Sequence, residues 1–420
     1  MKLKTLTTAM ILATVPMTGA FAAAMDRSGQ SIAAFLQPGN YAEAGISVLD
    51  PSVSGTAFTG ENTGDMASDY YFPSAALKLQ VTDNFSFGLL YDQPFGAEAE
   101  YKNQSAAFNP TGSDGTQAEV TTENLTFLFG FQPNENWNIY AGPVYQSAKG
   151  EVHLRGSAYS SLQGYDANMK KDGELGWIAG LAFQIPDIAL KASLTYRSEI
   201  EHELNTTENA NTVVPGFPGI APVGVPPQAF TYAPGKTNVT TPQSVNLDFQ
   251  SGIMADTVAF LNVRWVNWDG FAIRPTQFGQ ALDQLAAAGN TIPDVPVPAV
   301  AATKALLTSL EGGNLVEYNK DQWSATAGVG RKFNEQWAGN VSVGWDSGAG
   351  NPVTTLGPTE GYWNVGLGLQ FSPAPNYFIA GGVKYFWLGD ATALTVANPN
   401  VGEFEDNNAI AYGLKMGYRF

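Results

Sequence analysis

The chain has 420 residues, no cysteine, two histidines and 14% charged residues, which excludes disulfide scaffolds, cysteine-ligated zinc folds and solvated disordered chains. Its 21 Lys+Arg against 38 Asp+Glu give a formal net charge of −17, a sign that repels nucleic acid. Forty-five glycines and 12% aromatics, without a composition break, fit one large all-β unit whose strands carry one apolar and one polar face.

Lys2 and Lys4, the apolar run from Ala9 to Val15, and the small residues Ala20, Ala22, Ala23 and Ala24 read as a secretory signal peptide over 1–24. Its loss takes the formal charge to about −19. The longest uncharged stretch beyond it, Asn209 to Gly235, holds Pro215, Pro218, Pro222, Pro226, Pro227 and Pro234, so it cannot cross a bilayer as a helix. A membrane form of this chain must be a closed barrel.

Residues 25–39 make a short segment ahead of the first strand, and the barrel is expected over 40–420. Phe85, Phe87, Leu89 and Tyr91 alternate outward in the third strand, before Pro94 removes a ladder donor and Gly96 offers no side chain to pack. The segment Asp92, Gln93, Pro94, Phe95 and Gly96 is therefore an expected break in pairing. Leu125, Phe127, Phe129 and Phe131 then face outward, as do Trp137 and Ile139 after the next turn. At the C-terminus Ile410, Tyr412, Leu414, Met416, Tyr418 and Phe420 take one face, and Lys415 and Arg419 the other.

Six short turns fall at 82–84, 133–136, 186–187, 255–256, 334–336 and 373–376. Seven long loops, at 51–69, 102–115, 153–172, 202–241, 271–315, 348–359 and 390–406, alternate with them. Thirteen links give a 14-stranded antiparallel transmembrane β-barrel with both chain ends on the short-turn side. Trp137, Trp337, Trp345, Trp363 and Trp387 are candidates for the interfacial girdles. The competing reading of these aromatics is the core of a soluble β-sandwich or solenoid.

The fourth long loop carries Phe217, Ile220 and Phe230 among its prolines, too apolar for a solvated connection. In the fifth, Phe278, Leu282 and Leu285, then Ala305, Leu306 and Leu310, have helical spacing on either side of Pro293 to Pro298. Together the loops are expected to form a greasy groove for an acyl chain, or else a ligand-free cap. On the inner face lie Lys78, Lys191, Arg197, Arg264, Lys384 and Lys415, with Phe260 and Phe386 as apolar neighbours. A carboxylate leaving water needs such a charge-assisted donor, and Arg264 and Arg197 are the first choices because arginine holds it with two parallel bonds. The alternative is pairing of these cations with inner-face acids such as Asp248 or Asp346.

No catalytic signature stands out. His202-Glu203 begins like a zinc-protease motif, but Thr206 replaces the second histidine, and neither a Gly-x-Ser-x-Gly elbow nor a phosphate loop occurs. A lipase using serine with His153 or His202, both expected in loops, is the enzymatic alternative. No metal or cofactor is implied.

The layout, with a short segment before the first strand, fourteen strands and the interrupted string Tyr91-Asp92-Gln93-Pro94-Phe95-Gly96, resembles the FadL-type outer-membrane long-chain fatty acid transporters (OMPP1/FadL/TodX superfamily). Asn40-Tyr41-Ala42-Glu43 and Asp50-Pro51-Ser52-Val53-Ser54-Gly55 are similar to α-proteobacterial members. The resemblance implies a lumenal N-terminal hatch, abbreviated here to 25–39, an inward kink of the third strand that opens the wall as a lateral gate, and capture of substrate by the outer loops. Long-chain fatty acids or similar hydrophobic molecules are then the expected cargo, moved passively through a bacterial outer membrane. Expected partners are outer-membrane lipid, lipopolysaccharide facing the acidic loops, and the barrel assembly machinery through terminal Phe420. Uptake of aromatic or alkane hydrocarbons, and a structural or adhesive barrel that transports nothing, are the alternatives.

Overall fold

The computed structural model describes residues 24–213, 216–217, 228–229 and 231–420, so the signal-peptide residues 1–23 and loop residues Ile220 and Phe230 lie outside it, as does the side chain of Phe217. Among the described residues one sheet of seventeen segments closes on itself; three strands are split in two, leaving fourteen. These are β1 (Tyr41–Ser52), β2 (Tyr70–Gln80), β3 (Phe85–Asp92 and Gly96–Glu100), β4 (Gln117–Phe131), β5 (Trp137–His153), β6 (Asp166–Ile185) and β7 (Leu190–Arg197 and Ile200–Glu208). The circuit continues with β8 (Lys236–Thr241 and Ser244–Met254), β9 (Thr257–Val266), β10 (Gln322–Lys332), β11 (Trp337–Asp346), β12 (Tyr362–Ala374), β13 (Tyr377–Leu388) and β14 (Asn408–Arg419). Neighbours are antiparallel, and β1 pairs β14 from Tyr41↔Arg419 to Ser52↔Asn408, so the first and last strands close the sheet on itself.

Alternation decides which way each side chain points. On β14 Ile410, Tyr412, Leu414, Met416 and Tyr418 are exposed, while Ala411 and Lys415 are buried. The tryptophans line up across strands, with Trp345 opposite Trp363 and Trp363 opposite Trp387 at the outer level, and Trp337 opposite Phe371 at the inner one. These rows are the two girdles of a membrane barrel. A soluble sandwich would have buried them.

Above the outer girdle the wall keeps rising over β4 to β8, where the exterior carries ion pairs instead of apolar residues: Lys149–Glu119 at 3.0 Å, Lys236–Glu203 at 2.8 Å, and Lys171–Glu123. The sequence reading placed His153 and His202 in loops. Both lie in strands, His153 at the end of β5 and His202 in the upper part of β7, because the two-residue alternation persists in water after the lipid-facing residues end.

Two helices, α1 (Thr276–Asn290) and α2 (Pro298–Thr308), match the spacing expected in the fifth loop. The face of α2 differs by one position: Leu307 is buried and Leu306 exposed, because α2 packs on α1 through the Leu307 side, where Gly289 has room for it. Glu208 at the top of β7 caps α1, accepting the Gln277 and Phe278 N–H groups at 2.9 and 2.8 Å.

Candidate functional site

The ladder fails in β3. It pairs with β4 up to Asp92↔Asn124 and resumes at Gly96↔Thr121, so Gln93, Pro94 and Phe95 stand opposite only Glu123 and Thr122. One surplus residue makes a bulge, where Pro94 is tolerated because no N–H is needed of it. Toward β2 the consequence is larger. That ladder stops at Ala75↔Tyr91, and higher up the two strands meet through an isolated Ala67↔Ala99 bridge and the Tyr70 hydroxyl, which donates to Glu98 O at 2.6 Å. Between these points lies an unpaired stretch of wall.

Lipid cannot satisfy free peptide groups, and protein does so here. Pro94 O accepts the Arg27 N–H at 2.7 Å, and the Gly96 N–H donates to Met25 O at 2.8 Å. Thr122 Oγ1 donates to Phe95 O at 2.7 Å, and the bulge turns the Phe95 ring inward, 5.5 Å from Trp268. Just below, Ser28 Oγ donates to Asp92 Oδ2 at 2.5 Å. The segment ahead of β1 is thus stitched to the broken strand.

It is also tied across the bore by the inner-face cations. Arg264 uses all five N–H groups: Nε and Nη2 reach Asp26 at 2.6 and 3.3 Å, Nη2 also Gln30 Oε1 at 3.0 Å, and Nη1 Asn246 Oδ1 at 2.6 Å and Ser244 Oγ at 3.2 Å. Arg197 Nη2 donates to Gln30 O, Lys191 to Leu36 O at 2.9 Å and Lys78 to Gln37 O at 2.6 Å. Apolar packing completes the attachment. Phe35 sits edge-on to Tyr140 at 5.6 Å, in a notch left by Gly88 and Gly130, whose added Cβ atoms would stand 2.4 and 2.8 Å from its ring.

Cavities remain beside this 25–39 hatch segment. A cleft of about 90 Å³ is lined by Ser28, Phe72, Tyr91, Asp92, Gln93 and Arg197, and so reaches the unpaired stretch. A second, of about 120 Å³, is lined by Leu36, Lys191, Asp248 and Phe260. Both touch Ser31, Ala34, Glu43 and Lys415, so the two lie next to each other along the hatch. Each alone is smaller than the ~150 Å³ that accommodates benzene in a dry cavity. The vestibule at the short-turn end, about 370 Å³, is lined by polar residues such as Gln80, Asp83, Asn84, Gln132 and Gln184 together with Leu36, Pro38 and Trp137.

The expected site residues separate into four groups. Arg197, Asp92 and Gln93 meet at the cleft, while Pro94, Phe95 and Gly96 are buried in the bulge above it. Lys191 and Phe260 share the second cavity, but Arg264 and Lys191 already donate to the hatch. Lys384 and Phe386 line neither cavity; Phe386 lies under the outer loops, 5.1 Å from Tyr362. Leu282 and Leu285 are buried inside the loop core. The partner of Arg264 is Asp26, not Asp248 or Asp346; those acids instead accept from Asn262 and Gln322, at 2.8 and 2.7 Å. The sequence reading does not include Asp26, Arg27 and Phe35; the one signal pointing to the first two is that they are the sole charges between 25 and 39.

A family model described as outer membrane protein transport protein (OMPP1/FadL/TodX) matches residues 20–420. Similar solved structures include a Pseudomonas aeruginosa FadL homologue, 15% identical, covering 92% of each chain with a TM-score of 0.64. The P. putida toluene transporter TodX is 12% identical, covering 97% of this chain and 99% of its own at 0.60. The Ralstonia pickettii toluene transporter TbuX is 11% identical, with coverage of 97% and 99% at 0.56. No relative was found among curated proteins.

Proposed function

Because the chain belongs to the OMPP1/FadL/TodX family of outer-membrane transport proteins, we propose that it moves long-chain fatty acids or similar hydrophobic molecules passively across the bacterial outer membrane. The outer loops capture the molecule, and it leaves sideways between β2 and β3 at Pro94. One observation carries this reading: the cleft beside the hatch ends at the unpaired stretch of wall. An apolar chain gains about 25 cal/mol per Å² on leaving water. Lateral exit into lipid keeps that gain, whereas leaving through the short-turn end would return the chain to water. For a carboxylate headgroup Arg197 is the natural partner, since its buried Nη1 has no hydrogen-bond partner beside the cleft. Outside the bore, lipopolysaccharide meets the charged upper wall, and the exposed Phe420 addresses the assembly machinery.

Deleting Gln93 tests the exit, because it restores two residues opposite two and lets the β3 ladder run on. Oleate uptake should fall at least tenfold while the barrel stays folded by heat-modifiability on gels; undiminished uptake sinks lateral release. A second reading, hydrocarbon uptake, draws on the occupation of Lys78, Lys191 and Arg264 by the hatch, which leaves fewer cations for an acid. Competition between oleate and toluene for the purified protein separates the two.

A further inference from the structure

One side chain divides the cleft from a smaller pocket above it. Arg27 lines the cleft with Ser28 and Asp92, and it also lines a loop-side pocket of about 40 Å³ with Met66, Tyr70 and Leu356. Its backbone is fixed by the bond to Pro94 O. Its guanidinium is held differently, lying over the Tyr70 ring at 4.0 Å and near Phe72 at 5.8 Å. The seat exists because residue 96 is glycine: a Cβ there would stand 2.5 Å from Arg27 Cζ. Nη2 is buried with no hydrogen-bond partner. The contrast with its neighbour is sharp, since Asp26 is gripped by a charged, two-point contact, whereas Arg27 rests on the Tyr70 face and feels Glu98 and Glu119 without a two-point ion pair.

We propose that the Arg27 side chain is a gate between the loop-side pocket and the cleft, and that it favours hydrophobic molecules with an anionic end. Swinging it aside breaks the contact with Tyr70 and draws the guanidinium away from Glu98 and Glu119, while the rest of the hatch stays tied by Arg264, Arg197 and the lysines. An anionic headgroup supplies the partner that Nη2 lacks and draws the guanidinium with it; a neutral molecule of the same length does not. This inference rests on the transport reading and adds to it a residue that discriminates by charge.

The test compares radiolabelled oleate and oleyl alcohol, equal in chain length and different in headgroup charge, entering outer-membrane vesicles that carry the full chain. Wild type should prefer oleate. Arg27→Met, similar in length but uncharged, should lower the oleate-to-alcohol ratio about tenfold, and Arg27→Lys should recover part of it. An unchanged ratio in Arg27→Met overturns the gate, and so does an equal loss of both molecules that Arg27→Lys fails to correct. If wild-type vesicles carry neither molecule faster than vesicles lacking the protein, the transport reading itself falls.

Discussion

Arg264 and Asp26, 238 positions apart, form a two-point ion pair across the bore with Nε to Oδ2 at 2.6 Å and both side chains at most 4% exposed. Removing one member of such a pair leaves a buried charge unmatched, at a cost of about 3–5 kcal/mol. Asp26→Ala should therefore release the hatch while leaving the barrel closed, since the wall ladders do not pass through residue 26. Amide exchange over 27–37 should quicken strongly, and single-channel conductance should rise. Unaltered exchange would show that Phe35 and the lysines hold the hatch without the pair.

The notch beneath Phe35 gives an independent handle on the same attachment. Gly88→Ala puts a methyl 2.4 Å from Phe35 Cδ2, and the Gly130 position on the neighbouring strand already meets the same ring at Cζ. Overpacking of this kind costs about 1–3 kcal/mol. Gly88→Ala should loosen the hatch, and the double variant with Phe35→Ala should show coupling, the second change costing less than it does alone. Strict additivity in hatch exchange would contradict the contact.

The strand count, the two ends on one side and the girdle tryptophans were legible because alternation is local: five residues of β14 suffice to show which face meets lipid. Pro94 and Gly96 marked the break in β3 for the same reason, each acting through its own backbone. What holds the hatch was not legible. No local pattern tells Arg264 to choose Asp26 over Asp248, because that choice depends on how a chain segment crosses a closed bore. The height of the wall is not legible at His202, where charged outward residues resemble a loop although Ile200, His202 and Leu204 still alternate inward.

His202 carries a pH dependence of known sign. It stands above the outer girdle, with Nε2 3.0 Å from Gln146 Oε1, which also accepts from Thr241 Oγ1 at 2.6 Å. Burial lowers its pKa below the ordinary 6.5, outweighing the pull of Asp172. The unfolded chain thus binds this proton more readily than the folded one. The stability His202 contributes is whole above about pH 6.5 and is lost as pH falls through the lowered folded value. Thermal midpoints measured from pH 8 down to pH 5 should drop in wild type and drop less in His202→Gln. Parallel curves would remove His202 as the source.

The outer cap hangs on one carboxylate that belongs to the barrel. Helix α1 starts after Pro275 without a side-chain cap of its own, and Glu208 supplies the missing acceptors while its Oε1 also takes the Tyr165 hydroxyl at 2.7 Å. Charge at a helix start and capping bonds are together worth about 1–2 kcal/mol. Glu208→Ala should free the first turn of α1 and with it the α1–α2 pair, exposing the linker at 291–297 to protease several times faster, with Glu208→Gln intermediate. The barrel, whose ladders on either side of β7 do not need this side chain, should keep its melting behaviour. Equal cleavage in all three proteins would mean that the buried Leu282 and Leu285 hold the cap in place unaided.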